Sequence, residues 1–431
     1  MKILISTWGN PLNWNIVKYK YKKSEKEIED PLPLIKEEEK IDKIIIISLD
    51  TLADEKIGTL THICYNGLKK QAERIIENFC IAKLNCPPDK IIISYGVGEF
   101  NKTKFIGNAM DYYYSIFKEL SLTLKEWLES SSSQKLKIFL DISHGINFLP
   151  VLTYRALREV LQILAYSFEI ELTVLNSDTY IRSAKPSQLN VNVIEKIKIL
   201  PKLTVYYSNQ KIIKPFTHLK EKEKQKIGKD LFTQSLELPD EIFCFLSSYI
   251  YALPVFVTSY MPSYNTLKAI IDKISKVFER YISIDHTSAC KIKIIRNTEF
   301  TINFENLIKA FLVSWLLSSK CFGRQKDISL KKIKYLNENI WRNKFPVESN
   351  RIDVEIHKIQ EVDELTEEYQ PYFKLLGKDE GKNIDKRNFF SHAGFEHNVI
   401  QIKKEIIITI NPNYEDEAKK LLKDNLPRSE L

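Results

Sequence analysis

The stretch that decides the fold is Lys137–Leu149, KIFLDISHGINFL, in which an apolar run passes through a polar turn into a helical pattern. The run Lys137–Leu140 has the length and character of a buried strand, and the turn Asp141–Asn147 carries a glycine. A strand that leads through a tight turn into a helix is the repeating unit of an α/β sheet. Because ligands bind beyond the carboxyl ends of such strands, this turn is also a candidate binding site.

The same alternation of short apolar runs and longer amphipathic stretches fills the first 200 residues or so. The predicted strands are Ile3–Ser6, Ile44–Leu49, Lys90–Ser94, Lys137–Leu140 and Glu171–Leu175. The predicted helices are Leu68–Leu84, Ala109–Leu128 and Leu149–Tyr166. Because the strands are apolar without alternation, we expect a parallel sheet that is covered on both faces. The sequence therefore predicts a Rossmann-like, doubly wound domain over residues 1–200.

Two segments of this domain do not fit the strand–helix alternation. The segment Trp14–Tyr21 alternates apolar and polar residues, which indicates an extra edge strand. The segment Ser24–Lys40 is charged and contains Pro31 and Pro33, so we expect it to be an exposed loop.

Three strand ends of the predicted sheet are polar and contain glycine: Thr7–Asn10, Ser94–Gly98 and Asp141–Asn147. Backbone N–H groups and small polar side chains at such turns form a cradle for phosphate groups. The residues predicted to bind an anionic ligand are Thr7, Trp8, Gly9, Asn10, Ser94, Tyr95, Gly96, Asp141, Ser143, His144, Gly145 and Asn147. Structural roles are the alternative: Ser143 as a helix N-cap, Gly145 in a tight turn, and His144 as a buried structural histidine.

Two common nucleotide-binding patterns are missing from the sequence. The pair Gly96 and Gly98 lacks the third glycine of the dinucleotide fingerprint, and no Gly-Lys-Ser/Thr sequence forms a P-loop. The sequence therefore supports neither a nicotinamide enzyme nor a P-loop ATPase.

The composition is that of an ordinary globular protein of 431 residues, 44% hydrophobic and 28% charged, with room for two or three domains. The net charge of +8 permits an anionic partner without requiring one. The six cysteines form no Cys-x-x-Cys pair and have no histidine at zinc-finger spacing, which predicts free thiols and no metal site. We expect no signal peptide before Ile3–Ser6, and the most apolar run, Ile242–Val257, is shorter than the ~20 residues of a membrane span. We therefore expect a cytoplasmic protein without a membrane partner.

Beyond residue 200 the sequence predicts a helical intermediate region over 201–298 and a mainly helical domain over 299–431. In the first, Lys211–Asp230 indicates a solvated helix face or linker, Ile242–Val257 and Tyr264–Tyr281 indicate helices, and Ile282–Arg296 indicates a small strand pair. In the domain over 299–431, we expect helices at Phe304–Ser319, Ser329–Trp341 and Glu415–Asp424 and a strand at Ile402–Ile410. Between them we expect a loop near Pro346 and a charged stretch that extends to Lys378.

The segment Lys386–Phe395, KRNFFSHAGF, combines Arg387, Asn388 and His392. An arginine stabilises charge on a phosphate and a histidine moves protons near neutral pH, which are two needs of phosphodiester cleavage without a metal. On a helix Arg387 and His392 would lie about 140° apart, so either the helix ends between them or one site uses two chains. Gly394 predicts a helix stop just beyond His392. The alternatives are a capping role for both residues, and His397 as a competing proton carrier.

Together these motifs resemble those of a known family. Asp141–Gly145 resembles the Asp-x-Thr-His-Gly signature of CRISPR-associated ancillary proteins of type III systems, with Ser143 in place of threonine. Arg387, Asn388 and His392 resemble the Arg-x(4–6)-His motif of HEPN ribonucleases, in which an asparagine often follows the arginine. The order of the two motifs is similar to the CARF–HEPN layout, with a ligand-sensing CARF domain at 1–200, a variable linker at 201–298 and a HEPN ribonuclease domain at 299–431.

The resemblance implies a single-stranded RNA endoribonuclease of antiviral defence, activated by a cyclic oligoadenylate such as cyclic tetra-adenylate and needing no metal or other cofactor. It implies a homodimer, with a higher assembly such as a trimer of dimers left open, in which two HEPN motifs form one composite site. Arg387, Asn388 and His392 would then be catalytic, and the products would carry 2′,3′-cyclic phosphate and 5′-hydroxyl ends. Two alternatives remain: a nucleic-acid-binding regulator without nuclease activity, and an additional ring-nuclease activity on the cyclic ligand.

Overall fold

The structure of the protein is a computed structural model, which describes residues 1–59, 64–180, 188–234, 236–286, 291–363 and 365–429. The chain divides into two compact units, each discontinuous in sequence. The first unit consists of Met1–Leu200, Ile213–Ser235 and Ile274–Phe300, and the second of Pro201–Ile212, Leu236–Lys273 and Thr301–Leu431. The domain boundaries predicted at residues 200 and 298 remain a prediction.

The first unit is built on an eight-stranded sheet. Its strands are β1 (Lys2–Trp8), β2 (Val17–Tyr21), β3 (Ser24–Ile28), β4 (Lys43–Leu49), β5 (Lys90–Ser94), β8 (Lys135–His144), β9 (Glu169–Ser177) and β10 (Leu189–Ile199), while β6 (Gly98–Glu99) and β7 (Thr103–Ile106) lie outside it. The order is β3-β2-β10-β9-β8-β1-β4-β5, and the five strands from β9 to β5 are parallel neighbours. All five predicted strands are confirmed. From β1 the chain adds β4 and β5 on one side and then β8 and β9 on the other, so the strand order reverses between β1 and β8. Sheets of this kind bind ligands at such a reversal.

The predicted helices of this unit are also confirmed. They are α2 (Tyr65–Phe79), which continues as a π-helical turn over Cys80–Leu84, α3 (Met110–Glu129) and α4 (Leu149–Leu164). In α2 the buried side chains Leu68, Ala72, Ile75, Ile76 and Phe79 repeat every three or four residues, so one face of the helix is apolar.

The expected exposed loop over Ser24–Lys40 is wrong. The segment forms β3 and a helix, α1 (Leu32–Glu39), whose Leu32, Leu34 and Ile35 are buried. Proline is tolerated in the first turn of a helix, where the missing N–H has no intrahelical partner, and Pro33 lies there. The predicted edge strand is β2, but β3 pairs outside it and takes the edge of the sheet.

The remaining elements of the first unit are short. They are β11 (Ile213–Pro215), α5 (Glu221–Phe232), β12 (Ile282–Asp285), β13 (Ile292–Arg296) and β14 (Thr298–Phe300). The strand pair predicted within Ile282–Arg296 is confirmed, since β12 and β13 pair antiparallel, and β13 also pairs parallel with β7. The solvated helix predicted within Lys211–Asp230 is α5, in which Leu231 is the buried side chain.

The second unit is mainly helical, as predicted for the C-terminal part of the chain. Its helices are α6 (Asp240–Ile250), α7 (Pro254–Tyr260), α9 (Ile302–Ser318), α10 (Leu330–Leu336) with a π-helical turn at Asn337–Trp341, α11 (Pro346–Gln360), α12 (Tyr372–Leu375), α13 (Lys386–Ser391) and α14 (Glu415–Asp424). Between α7 and α9 the chain forms α8 (Tyr264–Arg280). A small antiparallel sheet has the order β15 (Ile328–Ser329), β18 (Ile407–Ile410), β17 (Ile400–Lys403) and β16 (Gln370–Pro371).

Two predictions for this unit are wrong in detail. The single helix predicted over Ile242–Val257 is two helices, because Ala252 takes a left-handed φ of 52° and Pro254 starts a new helix. The loop predicted near Pro346 is a short turn over residues 342–345, after which Pro346 opens α11. The strand predicted over Ile402–Ile410 is a hairpin, since Glu405 has a φ of 63° and turns the chain between β17 and β18.

Within the residues that the structure describes, no helix is both long and apolar enough to cross a membrane.

Candidate functional site

The Arg–His motif of the second unit lies on α13, a helix of only six residues. Asp385 caps its start, because its side chain accepts a 2.7 Å hydrogen bond from the N–H of Asn388. His392 is the C-cap residue, and Gly394 follows with a φ of +81°, a left-handed conformation that suits glycine. Phe389 is fully buried, which fixes the helix to the core and leaves its polar residues outside. The predicted helix stop beyond His392 is confirmed.

His392 is held by a buried carboxylate. Its Nδ1 lies 2.8 Å from Oε1 of Glu355, a residue of α11 that is only 3% exposed. The same oxygen accepts a 2.7 Å hydrogen bond from Nζ of Lys358. The two helices are also joined by Arg351, which donates a 2.6 Å hydrogen bond to the carbonyl of Phe390. The His392 side chain remains 39% exposed.

A pocket of roughly 730 Å³ opens beside His392. Asn388 and His392 line it together, as their four-residue spacing predicts. Arg387 is exposed and is not among the residues that line this pocket. His397 lines the same pocket, and its Nδ1 lies 2.9 Å from the buried carboxylate of Glu396.

In the first unit, two of the three predicted turns meet at the sheet edge. Trp8 and His144 are register partners at the ends of β1 and β8, and the N–H of Gly9 donates a 2.9 Å hydrogen bond to the carbonyl of His144. A second pocket, of roughly 380 Å³, opens here and is lined by Trp8, Gly9 and Asn10. Ile146 lines it from the other turn. This is the edge at which the strand order reverses.

The Asp-x-Ser-His-Gly turn is held together by its own side chains. Asp141 is fully buried and accepts hydrogen bonds from the hydroxyls of Ser6 at 3.0 Å and Ser143 at 2.5 Å. The Ser143 hydroxyl in turn accepts a 2.8 Å hydrogen bond from the N–H of Ser177. Burial raises the pKa of Asp141, and the Ser143 and Ser6 hydrogen bonds oppose that shift. The Thr7 hydroxyl donates to the carbonyl of Asp141 at 3.4 Å, so these residues shape the turn from inside.

His144 occupies a largely buried position. Its ring stacks on Trp14 at a centroid distance of 4.0 Å, and Nε2 is 3.0 Å from the hydroxyl of Tyr19. Desolvation lowers the pKa of His144 to about 4, so the imidazole is neutral at physiological pH. A neutral imidazole offers a phosphate a hydrogen bond but no positive charge. Asn147 is exposed and adopts a left-handed φ of 52°.

The third predicted turn is buried beneath the sheet edge. Ser94 is fully buried, and the Tyr95 ring packs against Phe278 at a centroid distance of 4.9 Å. Gly96 donates its N–H to Asp50 at 2.8 Å and accepts a 2.7 Å hydrogen bond from Arg296 at its carbonyl. Arg296 and Asp50 are themselves fully buried and form a 2.7 Å ion pair. The turn after β1 therefore lines the pocket, and the turn of β8 contributes only Ile146 to it, while Ser94, Tyr95 and Gly96 lie inside the core. The residues predicted from the turn of β8 that do not line the pocket are Asp141, Ser143, His144, Gly145 and Asn147.

Sequence reasoning missed one wall of this pocket. The further lining residues are Ser48, Leu49, Thr51, Leu52, Asp54 and Glu55 at and beyond the end of β4, Glu99, Phe100 and Asn101 at and beyond the end of β6, and Lys291 before β13. Since β4 lies between β1 and β5, the carboxyl-end rule applied to the predicted strand Ile44–Leu49 would have found the first group. The three lining carboxylates are already partnered: Asp54 accepts from Thr103, Glu55 accepts from Asn10, and Glu99 pairs with Lys291.

Sequence reasoning also missed Glu355, which lies 37 residues before His392. No local motif marks it, because its partner is brought close only by the packing of two helices. Across the described parts of the chain, no group of three histidine, cysteine or acidic side chains is arranged to hold a metal ion.

Comparison with known proteins agrees with this two-part arrangement. A family model described as CRISPR system endoribonuclease Csx1, CARF domain, matches residues 3–179, and one described as CRISPR system endoribonuclease Csx1, HEPN domain, matches residues 345–411. The chain is 30% identical over 425 residues to the CRISPR system endoribonuclease Csx1 of Methanocaldococcus jannaschii, covering 93% of this chain and 86% of that protein. A solved structure, Enterococcus italicus Csm6 bound to cyclic hexa-2′-fluoro-hexa-dAMP, aligns over 91% of this chain and 92% of that chain, with 12% identity and a TM-score of 0.25. A TM-score that low supports no inference about this chain.

Proposed function

Because the chain belongs to the Csx1 family of CRISPR system endoribonucleases, with a CARF domain and a HEPN domain, we propose that it cuts single-stranded RNA without a metal ion when a cyclic oligoadenylate binds its CARF domain. The carrying observation is the state of His392. It stands at the end of a helix, half-exposed, beside a pocket that Asn388 also lines, with Nδ1 on a buried carboxylate. A histidine arranged in this way is built to take and return a proton at Nε2.

The proposed reaction is attack of an RNA 2′-hydroxyl on the adjacent phosphodiester. His392 moves the proton of the hydroxyl, Arg387 stabilises the charge that develops on the phosphoryl oxygens, and Asn388 positions the phosphate or His392. The attack breaks the bond to the 5′-oxygen of the next nucleotide, which leaves as a hydroxyl. The products are therefore a 2′,3′-cyclic phosphate and a 5′-hydroxyl end.

The proposed active site is composite. Arg387 is exposed and is not among the residues that line the pocket of His392, whereas Lys358 and Lys378 are, so we propose that the arginine at the phosphate comes from a second chain. In a homodimer with two-fold symmetry, the α13 helices of both chains can meet and supply arginine and histidine to one phosphate. A larger assembly, such as a trimer of dimers, would repeat the same site.

The proposed activator site is the pocket at the ends of β1 and β8. Gly9 and Asn10 from the first turn and Ile146 from the second line this pocket, which gives an anion a close approach to the backbone of both turns, and cyclic tetra-adenylate is the ligand that we propose. Charge does not drive the binding, because His144 is neutral and the pocket contains partnered carboxylates. Hydrogen bonds from the turns must therefore carry the recognition of the phosphates.

The test uses labelled single-stranded RNA in EDTA, with and without cyclic tetra-adenylate. We expect ligand-dependent cleavage by the parent protein, and a loss of roughly 10² to 10⁴-fold in Arg387→Ala and His392→Ala, since each removes a charge-stabilising or proton-transfer group. His397→Ala, in the same pocket, is the matched control and should cost little. Cleavage that vanishes in EDTA and returns with magnesium would contradict metal independence, and a severe loss in His397→Ala would show that the proton carrier is wrong.

A further inference from the structure

The hydrogen bond between His392 and Glu355 involves a buried carboxylate, which packing of the helix does not require. Glu355 lies on the buried face of α11, which also carries Ile352, Ile356 and Ile359. Its carboxylate is largely removed from water, which costs free energy unless its oxygen atoms are partnered. An acidic side chain at this buried position therefore needs a reason other than solubility or helix formation.

The neighbouring lysine does not supply that reason. Lys358 is 47% exposed and bonds to the same Oε1 as His392. A partly exposed ion pair between residues three apart on a helix contributes little, and this gain is small against the cost of burying a carboxylate. His392 is the partner whose function depends on the contact, because a hydrogen bond at Nδ1 decides which ring nitrogen carries the proton.

We propose that Glu355 is a positioning residue for RNA cleavage, which accepts the Nδ1–H of His392 and thereby presents an unprotonated Nε2 to the RNA 2′-hydroxyl. The inference rests on the proposed function. Glu355 does not itself touch the RNA in this account; it fixes the tautomer and the ring orientation of His392 and stabilises the imidazolium that forms when the proton is taken. Arg351 supports the same geometry by joining α11 to the end of α13.

The pocket contains a second pair that serves as an internal comparison. His397 Nδ1 lies 2.9 Å from the carboxylate of Glu396, which is also buried. Glu396 additionally accepts a 2.9 Å hydrogen bond from the N–H of Asn398, so it has a local role in holding the chain. The charged groups that line the pocket around His392 are Glu355, Glu361, Asp363, Glu396, Lys358 and Lys378, together with His397. Because carboxylates surround the pocket, the control must remove a charge without touching His392.

The experiment compares Glu355→Gln with Glu396→Gln in the full-length protein. Single-turnover and steady-state cleavage of labelled RNA should show a fall in kcat of about 10- to 100-fold for Glu355→Gln with KM unchanged, and little change for Glu396→Gln. The ¹⁵N chemical shifts of the His392 imidazole, assigned by comparison with His392→Ala and read without RNA at a pH where the ring is neutral, should show the Nδ1–H tautomer in the parent. In Glu355→Gln that tautomer should lose its dominance.

A second variant separates orientation from charge. Glu355→Asp keeps the negative charge but is one methylene shorter, so it should also lose kcat, and it replaces the glutamine variant if that one melts early. An Nδ1–H tautomer absent from the parent, or parental kcat in both Glu355 variants, would overturn the proposal. If the parent cuts no RNA, the proposed function fails instead, and the imidazole tautomer still decides whether Glu355 sets the state of His392.

Discussion

Gly145→Ala should destabilise the first unit and weaken ligand binding, because the structure leaves no room for a side chain there. A Cβ atom on Gly145 would lie 2.3 Å from Cγ of Pro150 and 2.7 Å from the hydroxyl oxygen of Thr7. Carbon atoms pack at about 3.5–4.0 Å, so the proline ring or the turn must move by more than about 1 Å. Neither neighbour is the free end of a flexible side chain, since Pro150 is in the first turn of α4 and Thr7 is buried in β1.

The expected cost follows from overpacking. Adding atoms to a close-packed site costs about 1–3 kcal/mol in the free energy of unfolding. For a unit of this size each kcal/mol lowers the melting temperature by about 2–4 °C, which predicts a fall of roughly 2–12 °C. The same displacement moves the carbonyl of His144, which accepts the N–H of Gly9, and so disturbs both turns of the proposed ligand pocket.

Differential scanning calorimetry and titration calorimetry with cyclic tetra-adenylate measure the two effects on one preparation. Gly323→Ala is the matched control, because nothing lies within 4 Å of a Cβ at Gly323. A Gly145→Ala protein as stable as Gly323→Ala would refute the steric argument. A destabilised but folded variant that binds the ligand as tightly as the parent would show that this turn is not the sensor.

Three further predictions follow from buried titratable and charged groups. Burial lowers the pKa of His144 to about 4, so His144 does not titrate between pH 8 and pH 5.5. Titration calorimetry should therefore show the same change of ligand affinity over this range in the parent and in His144→Gln. A pH dependence that is present in the parent and absent from the variant would contradict this. Burial raises the pKa of Asp111 to about 8 from a usual value of 3.8, so the stability that its protonated form contributes is complete below pH 4 and lost as the pH rises to 8. Between pH 5 and pH 8, Asp111→Asn should therefore lose less free energy of unfolding than the parent protein, as measured by urea unfolding. An equal loss in the two proteins would contradict this. Arg296→Met should cost about 3–5 kcal/mol in urea unfolding because it leaves Asp50 buried without its cation, while a cost below about 1 kcal/mol would mean that the pair is dispensable.

The parts of the fold that the sequence predicted are those in which local pattern and tertiary packing agree. The apolar runs of β4 and β5 have the length and composition of strands buried on both faces, and the apolar face of α2 repeats at the helical period, so pattern alone identifies them. The prediction for Ser24–Lys40 is wrong because proline indicates a loop as often as a helix start, and Pro33 stands in the first turn of a helix, where its missing N–H has no consequence.

The candidate site also has residues whose positions follow from local pattern and residues whose positions depend on distant contacts. The positions of Asn388 and His392 on one pocket follow from helical spacing, and the meeting of Trp8 with His144 follows from the parallel order of β1 and β8. The burial of Tyr95 does not follow from its place at a strand end, because it depends on Arg296, about 200 residues later in the chain. Glu355 was missed for the same reason: a contact between distant segments leaves no local signal.

The measurement that tests the central claim most directly is the identity of the RNA ends formed in EDTA by the parent protein and by His392→Ala. Mass spectrometry of a short RNA after incubation with cyclic tetra-adenylate distinguishes a 2′,3′-cyclic phosphate from a free 3′-hydroxyl. The account predicts cyclic phosphate and 5′-hydroxyl ends from the parent, and no such ends above background from His392→Ala. A 3′-hydroxyl with a 5′-phosphate, or the same cyclic ends at the parental rate from His392→Ala, would contradict it.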